Sequence, residues 1–136
     1  ECREKMIYGI GTDILQIPRL KAALERRGDR LAEKILGPDE MKRFFHRKSK
    51  VEARGVRYLA TRFAAKEAFS KALGTGIKNF SLKDLYIKNN KDGKPELFFS
   101  DSLKQILQNR CGECVVHVSL SHETDYAIAY VVIEKI

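Results

Sequence analysis

The sequence predicts an α+β fold in which an antiparallel sheet packs against a long central helix. The predicted elements follow one another as strand, helices, hairpin, short helix and hairpin, and not as alternating βαβ units. Turn residues of hairpin type join the later strands, which makes their pairing antiparallel. The chain has 136 residues, of which 43% are hydrophobic, enough to bury one ordinary core. We therefore expect a single domain.

The first predicted strand covers residues 7–14 and contains two glycines. Its other residues are mostly β-favouring, so Gly9 and Gly11 indicate close approach of another backbone on one side. Asp13 lies where this strand is expected to end. An aspartate at such a position is commonly a turn former or a helix cap, and this ordinary explanation stays open at this point.

A helix is predicted over Pro18–Leu36, with a possible break at Gly28. Its outer surface is basic, and both a solvated helix face and a docking surface for an acidic partner explain this charge. The basic residues are Arg19, Lys21, Arg26, Arg27, Arg30 and Lys34. Residues 37–40 predict a helix break and restart. Residues 46–57 are basic and poorly periodic, and Arg54 and Gly55 predict a loop.

The central helix carries charge on its apolar side. Residues 62–76 read RFAAKEAFSKALGTG, and a stripe of residues at spacings of three or four includes both an aromatic and a carboxylate. The members of this stripe are Leu59, Phe63, Glu67, Ser70, Lys71 and Gly74. An exposed pair of Glu67 and Lys71 is the ordinary explanation. The ending Gly74-Thr75-Gly76 allows backbone amides to approach a ligand, and Gly74 also suits a helix C-cap.

The second half of the chain predicts two hairpins around a short helix. The predicted ranges are a strand within 80–88, a turn at 89–94, a strand at 95–99, a helix at 102–109, a loop at 111–114, and strands at 115–121 and 126–133. The loop contains Cys111 and Cys114, with His117 and His122 downstream. A zinc or redox site is disfavoured because a second cysteine pair is absent from the sequence and alternation points the two histidines to opposite faces.

Composition restricts the possible partners without choosing one. The formal charge is +8 and the isoelectric point is about 9.5, so the surface should attract polyanions. The sequence contains no apolar run of membrane-spanning length and no secretion signal, and its three cysteines do not form a disulfide framework. We expect a cytoplasmic protein without a membrane partner. Glu1–Lys5 precede a possible native start at Met6, and we interpret them as a leader or an added segment outside the domain at residues 6–136.

The residues alone suggest two classes of function, nucleic-acid binding and metal-dependent chemistry on a phosphate-containing substrate. Cations run through residues 46–62 with Phe44, Phe45 and Tyr58 nearby, as in a nonspecific nucleic-acid-binding domain, although no recognised module is present. The stronger combination joins Asp13, Glu67 and the glycine turn. Two carboxylates from separate elements suit Mg²⁺ when phosphates and waters complete its shell. The sequence therefore predicts a magnesium-dependent site for a phosphate-containing substrate.

Four segments together resemble the small bacterial members of the phosphopantetheinyl transferase family. They are IYGIGTDI at residues 7–14, LATRFAAKEAFSKA at 59–72 with GTG at 74–76, GKP at 93–95, and HVSLSH at 117–122. The resemblance spans nearly the whole chain from Met6. It implies the fold of that family and Mg²⁺-dependent transfer of phosphopantetheine from coenzyme A to a serine of an acidic apo acyl carrier protein, for fatty acid biosynthesis.

The resemblance also implies residue roles. Asp13 and Glu67 would hold Mg²⁺, and Lys71 would stabilise charge on the transferring group. The base that takes the serine proton could be a metal-bound water, Asp13, Glu67 or His122. The residues implied to line the coenzyme A pocket are Arg54, Ser70, Lys71, Gly74, Thr75, Gly76, Pro95 and His122. Those implied to dock the carrier protein are Arg19, Arg26, Arg27 and Arg30. Small members of the family are homotrimers with sites at subunit interfaces, so one site would draw residues from two chains, and no nucleic acid is implied as a partner.

Overall fold

The computed structural model describes residues 6–75 and 80–136. Over these residues the chain forms five strands and five helices, with a short 3₁₀ turn at Leu82–Asp84. In chain order the elements are β1 (Met6–Gln16), α1 (Ile17–Arg27), α2 (Asp29–Ile35), α3 (Pro38–Lys50), α4 (Glu52–Leu73), β2 (Leu85–Asn89), β3 (Pro95–Phe99), α5 (Asp101–Cys111), β4 (Cys114–His122) and β5 (Tyr126–Lys135). The predicted α+β class is confirmed.

The strands form two antiparallel sheets. A three-stranded sheet has the order β1-β5-β4, so β1 and β4 are its two edges, while β2 and β3 form a separate hairpin. Across the larger sheet, Asp13 pairs with Ala129, which pairs in turn with Leu120. The long helix α4 packs on one face of this sheet and is in contact with all three of its strands.

Helix α4 belongs to both hydrophobic clusters of the core. Its carboxyl-terminal half packs with the sheet, the β2-β3 hairpin and α5, around residues such as Phe69 and Leu73. Its amino-terminal half packs with α1, α2 and α3, around residues such as Leu59 and Phe44. Because most of its circumference is buried, α4 is the element on which the other layers are assembled.

The two glycines of β1 allow the strand to contact α4 directly. A β-carbon at Gly9 would overlap the carbonyl oxygen of Ala72, and one at Gly11 would overlap that of Ala68. The predicted close backbone approach is therefore confirmed. Successive residues on one face of a strand are two apart, so the next residue on this face after Gly11 is Asp13. The strand does not end there as expected but continues to Gln16.

A buried ion pair fixes α4 against three other elements. The Nζ atom of Lys66 lies 2.6 Å from Oε1 of Glu40, and these side chains are 0% and 2% exposed. Lys66 also donates to the carbonyl oxygen of Ile35, while Glu40 accepts from the backbone amides of Gly37 and Ile87. Paired and hydrogen-bonded in this way, the two charges tolerate burial. This network was not predicted from the sequence.

The loop predicted at Arg54 and Gly55 is wrong. Helix α3 continues to Lys50, and α4 begins at Glu52 after Val51, which alone adopts an extended conformation between them. The helical period is weak here because the end of α3 and the first turn of α4 are exposed on nearly all sides. Gly55 serves packing instead, since a β-carbon there would lie 2.7 Å from the β-carbon of Lys48.

The remaining predictions differ from the structure by a few residues at element ends. The helix break at Gly28, the restart at Pro38, the β2-β3 hairpin turn and both final strands are confirmed. The first strand of the hairpin is shorter than expected, because the 3₁₀ turn occupies Leu82–Asp84. In the described part of the chain, none of the helices is long and apolar enough to cross a membrane.

Candidate active site

The structure brings Asp13, Glu67 and Lys71 together at one side of α4, in an arrangement we call the carboxylate site. The Nζ atom of Lys71 lies 3.2 Å from Oδ1 of Asp13 and 3.0 Å from the carbonyl oxygen of Thr12. Glu67 is one helical turn before Lys71, so both side chains face β1. The glycine contacts of β1 set this register, because they hold the strand close to α4.

The electrostatics of Glu67 are those of a partly buried acid beside another acid. Burial raises the pKa of Glu67 above its ordinary value, the Asp13 carboxylate raises it further, and the Lys71 ammonium opposes both effects. The Lys71–Asp13 pair is only partly buried, with side chains 55% and 17% exposed. Two carboxylates whose charges repel one another are a suitable pair of ligands for a divalent cation.

The turn that follows α4 is only partly described. Gly74 is the C-cap in a left-handed conformation, with φ of 87°, and its amide donates to the carbonyl oxygen of Ser70. The Ser70 hydroxyl is buried and donates to the carbonyl oxygen of Glu67, so it serves the helix itself. Thr75 is half-buried and has an interaction within the molecule. Gly76, predicted to approach the ligand, lies outside the described residues.

A second set of predicted residues meets elsewhere, in a cleft of about 440 Å³ that we call the arginine cleft. Three predicted pocket residues, Arg54, Pro95 and His122, line it. Several of the other lining residues belong to the basic segment 46–62, which the sequence offered only as a nucleic-acid-binding surface. The full lining is Arg47, Arg54, Arg57, Tyr58, Thr61, Arg62, Asn89, Gly93, Pro95, Leu120 and His122. Among the residues that the structure describes, four guanidinium groups and no carboxylate line this cleft, so it suits a multiply charged anion.

The buried ring of Tyr58 packs against two of the arginines in the cleft wall. The guanidinium carbon of Arg62 lies 4.2 Å from the centre of this ring and that of Arg47 lies 4.9 Å away. Arg62 also donates from Nη1 to the Thr61 hydroxyl, which donates in turn to the carbonyl oxygen of Tyr58. Sequence spacing could have indicated this wall, since Arg54, Tyr58 and Arg62 recur every four residues on one helical face.

The carboxylate site and the arginine cleft lie on opposite sides of α4. Glu67 and Tyr58 are about nine residues apart, or about two and a half helical turns, which places their side chains on opposite faces. The strands agree with this, because Asp13 is on the β1 edge of the sheet and His122 is on the β4 edge, with β5 between them. Within one chain the predicted pocket residues therefore do not form one continuous site.

The basic surface predicted near the amino terminus is present. Arg19, Arg26 and Arg27 are exposed on α1, and Arg30 is exposed on α2 beyond the break at Gly28. Helix α1 begins four residues after Asp13, so this surface follows the carboxylate site directly along the chain. A cationic surface of this kind attracts an acidic macromolecule.

The cysteine motif is placed away from both regions. Cys111 is buried at the end of α5, Cys114 opens β4, and both are free thiols. His117 lies 3.1 Å from Glu134 across the β4-β5 pair, and His122 lines the arginine cleft on the other face of β4. Among the residues that the structure describes, no group of three or more His, Cys, Asp or Glu side chains is arranged to hold a metal.

Paired carboxylates lie on one side of the central helix and clustered arginines lie on the other. Fold and site together therefore define a class of protein that binds a phosphate-bearing ligand. The model of the ACPS family, described as the 4′-phosphopantetheinyl transferase superfamily, matches residues 9–131. A curated holo-acyl-carrier-protein synthase of Leptothrix cholodnii is 51% identical over 130 residues, which cover 95% of this chain and 97% of that protein.

Two solved structures are similar over nearly the whole chain. The holo-acyl-carrier-protein synthase from Neisseria meningitidis has a TM-score of 0.86 at 42% identity, covering 96% of this chain and 100% of that one. The Bacillus anthracis protein, solved in complex with CoA, has a TM-score of 0.77 at 39% identity, covering 96% and 99%. The chain therefore belongs to the 4′-phosphopantetheinyl transferase superfamily, as an enzyme of its holo-acyl-carrier-protein synthase family.

Proposed function

We propose that this enzyme transfers phosphopantetheine from coenzyme A to a serine of an apo acyl carrier protein, in the cytoplasm and for fatty acid biosynthesis. The observation that carries the proposal is the pairing of Asp13 with Glu67 on a fold whose relative from Bacillus anthracis binds CoA. In the reaction the serine oxygen forms a bond to the phosphorus next to pantetheine. The bond from that phosphorus to the bridging oxygen breaks, adenosine 3′,5′-bisphosphate leaves, and the serine proton goes to a base.

The donor set fits Mg²⁺. Asp13 and Glu67 supply hard oxygen ligands, and the raised pKa of Glu67 reflects a position where a cation would favour its ionised form. When bound, the metal would supply charge stabilisation at the pyrophosphate. Lys71 is the adjacent side-chain cation, and its exposed ammonium can turn from Asp13 towards a phosphate oxygen.

The arginine cleft would take the nucleotide end of coenzyme A. Arg54, Pro95 and His122 come together there with three further arginines, which are well suited to bidentate contacts with phosphate. Because the cleft and the carboxylate site lie on opposite sides of α4, we infer that one active site joins the carboxylates of one subunit to the cleft of a neighbour.

An exposed apolar sheet face supports this assembly. Ile10 and Ile14 on β1 are 57% and 63% exposed, and Ile128 and Tyr130 beside them on β5 are 42% and 44% exposed. Apolar clusters of this kind on one face commonly mark an interface. We infer that a second copy of the chain covers the face and that a closed homotrimer results, as the family resemblance implies.

The carrier protein would dock on the basic surface formed by Arg19, Arg26, Arg27 and Arg30. This surface follows the carboxylate site directly along the chain, and a carrier protein bound there would present its serine to the phosphorus near Asp13 and Glu67. Its exposed charges would mainly steer and orient an acidic partner.

The test is intact mass spectrometry of an apo acyl carrier protein incubated with the enzyme, coenzyme A and Mg²⁺. The expected result is a mass gain of one phosphopantetheine, abolished by EDTA and restored by excess Mg²⁺. A carrier protein whose acceptor serine is replaced by alanine is the matched control. An unchanged mass with several carrier proteins, under conditions in which the enzyme is folded, would contradict the proposal.

A further inference from the structure

The two cysteines of the C-x-x-C motif lie side by side in the fold. Cys111 is the last residue of α5 and Cys114 is the first of β4, with Gly112 and Glu113 between them. Cys111 belongs to the hydrophobic cluster around α4, and Cys114 packs against the same cluster. The two thiols share a hydrogen bond, and the Tyr8 hydroxyl donates another to Cys111. The sulfur atoms are therefore neighbours, and neither thiol has a part in the proposed function.

The backbone between the two cysteines turns sharply. Gly112 is the C-cap of α5, with φ of 68°, and its amide donates to the carbonyl oxygen of Gln108. Glycine adopts a positive φ without strain, so the chain can leave the helix and enter β4 within two residues. Residues three apart across such a turn commonly have α-carbons less than about 7 Å apart, which is also the limit for a disulfide. A bond between the two sulfur atoms is therefore compatible with the fold.

The two thiols differ in their access to small molecules. Cys111 is 1% exposed, whereas Cys114 is half-buried and lines an open groove of about 550 Å³ between β3, α5 and β4. Burial raises the pKa of both thiols, and the neighbouring Cys111 raises that of Cys114 further. Because neither thiolate is stabilised, the reduced pair gains no advantage over the disulfide. A reagent in the groove meets Cys114 first, with Cys111 directly behind it.

We propose that Cys111 and Cys114 are a reversible redox pair, in which Cys114 reacts with a low-molecular-weight disulfide and Cys111 resolves the product. The Cys114 sulfur loses its proton and bonds to one sulfur of the reagent, whose S–S bond breaks to release a thiolate that takes up a proton. The Cys111 sulfur then attacks Cys114 in the same way and releases the second thiol. Two protein thiols are oxidised, and the reagent is reduced to two thiols.

The first experiment treats the intact protein with oxidised glutathione, alkylates the remaining thiols and measures tryptic peptides by mass spectrometry. Trypsin cleaves after Arg110 and Lys135, so Cys111 and Cys114 lie in one peptide and Cys2 lies in another. The peptide 111–135 should escape alkylation and be lighter than its reduced form by two hydrogens. Dithiothreitol added before alkylation should restore two alkylated cysteines. Transfer activity plays no part in this measurement, so it stands apart from the test of the proposed function.

Two matched variants separate the roles of the thiols. Cys111→Ala removes the resolving thiol, so a mixed disulfide with one glutathione should persist on Cys114. Cys114→Ala should remain unmodified, because the remaining thiol at Cys111 is buried. Circular dichroism checks that both variants are folded, and the wild-type peptide decides the proposal even where a variant is not. A wild-type peptide that is alkylated at both cysteines, keeps a glutathione or is linked to the Cys2 peptide would overturn it.

The second experiment measures how strongly the fold favours the bond. In buffers of reduced and oxidised glutathione, the folded chain should hold the disulfide at a ratio about tenfold more reducing than the chain unfolded in urea, because the fold positions the two sulfur atoms in advance. The same peptide masses give both equilibria. A folded chain that requires an equal or more oxidising buffer than the unfolded chain would show that the fold does not prepare the pair, and would also overturn the proposal.

Discussion

The two sides of α4 have opposite electrostatic character. On the β1 side, two carboxylates share one exposed lysine, and the pKa of Glu67 is raised by burial and by Asp13. On the β4 side, four arginines and a histidine line a cleft that has no carboxylate from the described part of the chain. The β1 side therefore suits a bound cation, and the β4 side suits a bound anion. A substrate that carries both a metal-bound pyrophosphate and a terminal phosphate would use both sides, from two subunits.

The ion pair between Lys66 and Glu40 shows what a purely structural arrangement looks like. This pair is fully buried at 2.6 Å, and both partners have additional hydrogen bonds to the backbone. The pair of Lys71 and Asp13 is longer, at 3.2 Å, and more exposed. The short, fully hydrogen-bonded pair of Lys66 and Glu40 holds α4 in place. The longer and more exposed pair of Asp13 and Lys71 leaves both side chains able to change partners.

The largest effect on stability should come from the buried pair. Lys66→Met removes the cation and leaves Glu40 buried beside the backbone amides of Gly37 and Ile87, which we expect to cost about 3–5 kcal/mol. Lys71→Met, on the same helix, should change the free energy of unfolding by about 1 kcal/mol or less while lowering activity. Urea denaturation of both variants measures this difference. Similar losses of stability would remove the distinction between a structural and a functional lysine.

The next largest effect should be on turnover at the carboxylate site. Asp13→Ala or Glu67→Ala should lower kcat about 10²–10³-fold or more, because charge on the transferring phosphoryl group loses its main stabilisation. Circular dichroism should show an unchanged fold, since neither carboxylate contributes a buried ion pair. Near-normal transfer by either variant at saturating Mg²⁺ would contradict the metal assignment.

Substitutions in the cleft and on the basic surface should raise the KM values of different substrates. Arg54→Ala, in the cleft, should raise the KM for coenzyme A about tenfold and leave the KM for the carrier protein nearly unchanged. Arg26→Glu, on α1, should do the opposite, and its effect should shrink at high salt because the surface is exposed. Steady-state kinetics with each substrate varied in turn gives both values. A common effect of each variant on both substrates would argue against separate docking regions.

The smallest effects should be seen in the titration of Glu67. In the metal-free protein its pKa should exceed the ordinary value of about 4.5. Asp13→Asn removes a repelling charge and should lower this pKa, whereas Lys71→Met removes an attracting charge and should raise it. Carbon-detected NMR of the side-chain carboxyl measures all three values. A pKa that moves in the same direction in both variants would refute the stated causes.

Much of the fold was predictable because it follows from local patterns. Residues 92–93 indicated the hairpin turn, and the glycines of β1 indicated close approach of another backbone. The position of Glu67 in one stripe with Leu59 and Phe63 indicated a site. The helical nature of residues 46–57 was missed because exposed helix ends have no apolar period. The Lys66–Glu40 pair was missed because a sequence does not distinguish a buried charge from a surface one.

The candidate site was predicted only in part for a related reason. Glu67 conflicts with the apolar side of its helix, and that conflict is visible in the sequence, whereas Asp13 gained its role only in combination with Glu67 and the glycine turn. Tyr58 and Arg57 agree with a helix surface, and their role depends on the hairpin and on β4, which come near them only in the folded chain. That the two sets of residues occupy opposite sides of α4 requires knowing the sheet order as well as the helix.

The central claim, that one active site joins the two sides of α4 from different subunits, is tested most directly by mixing inactive variants. Subunits carrying Asp13→Ala would be co-assembled in equal amounts with subunits carrying Arg54→Glu and His122→Ala, and phosphopantetheine transfer would be measured. Random assembly into closed trimers should restore about one site in four, because some interfaces join an intact carboxylate site to an intact cleft. Mixing Asp13→Ala with Glu67→Ala, which damage the same side, should restore nothing. Activity no greater than that of the separate variants would contradict the claim.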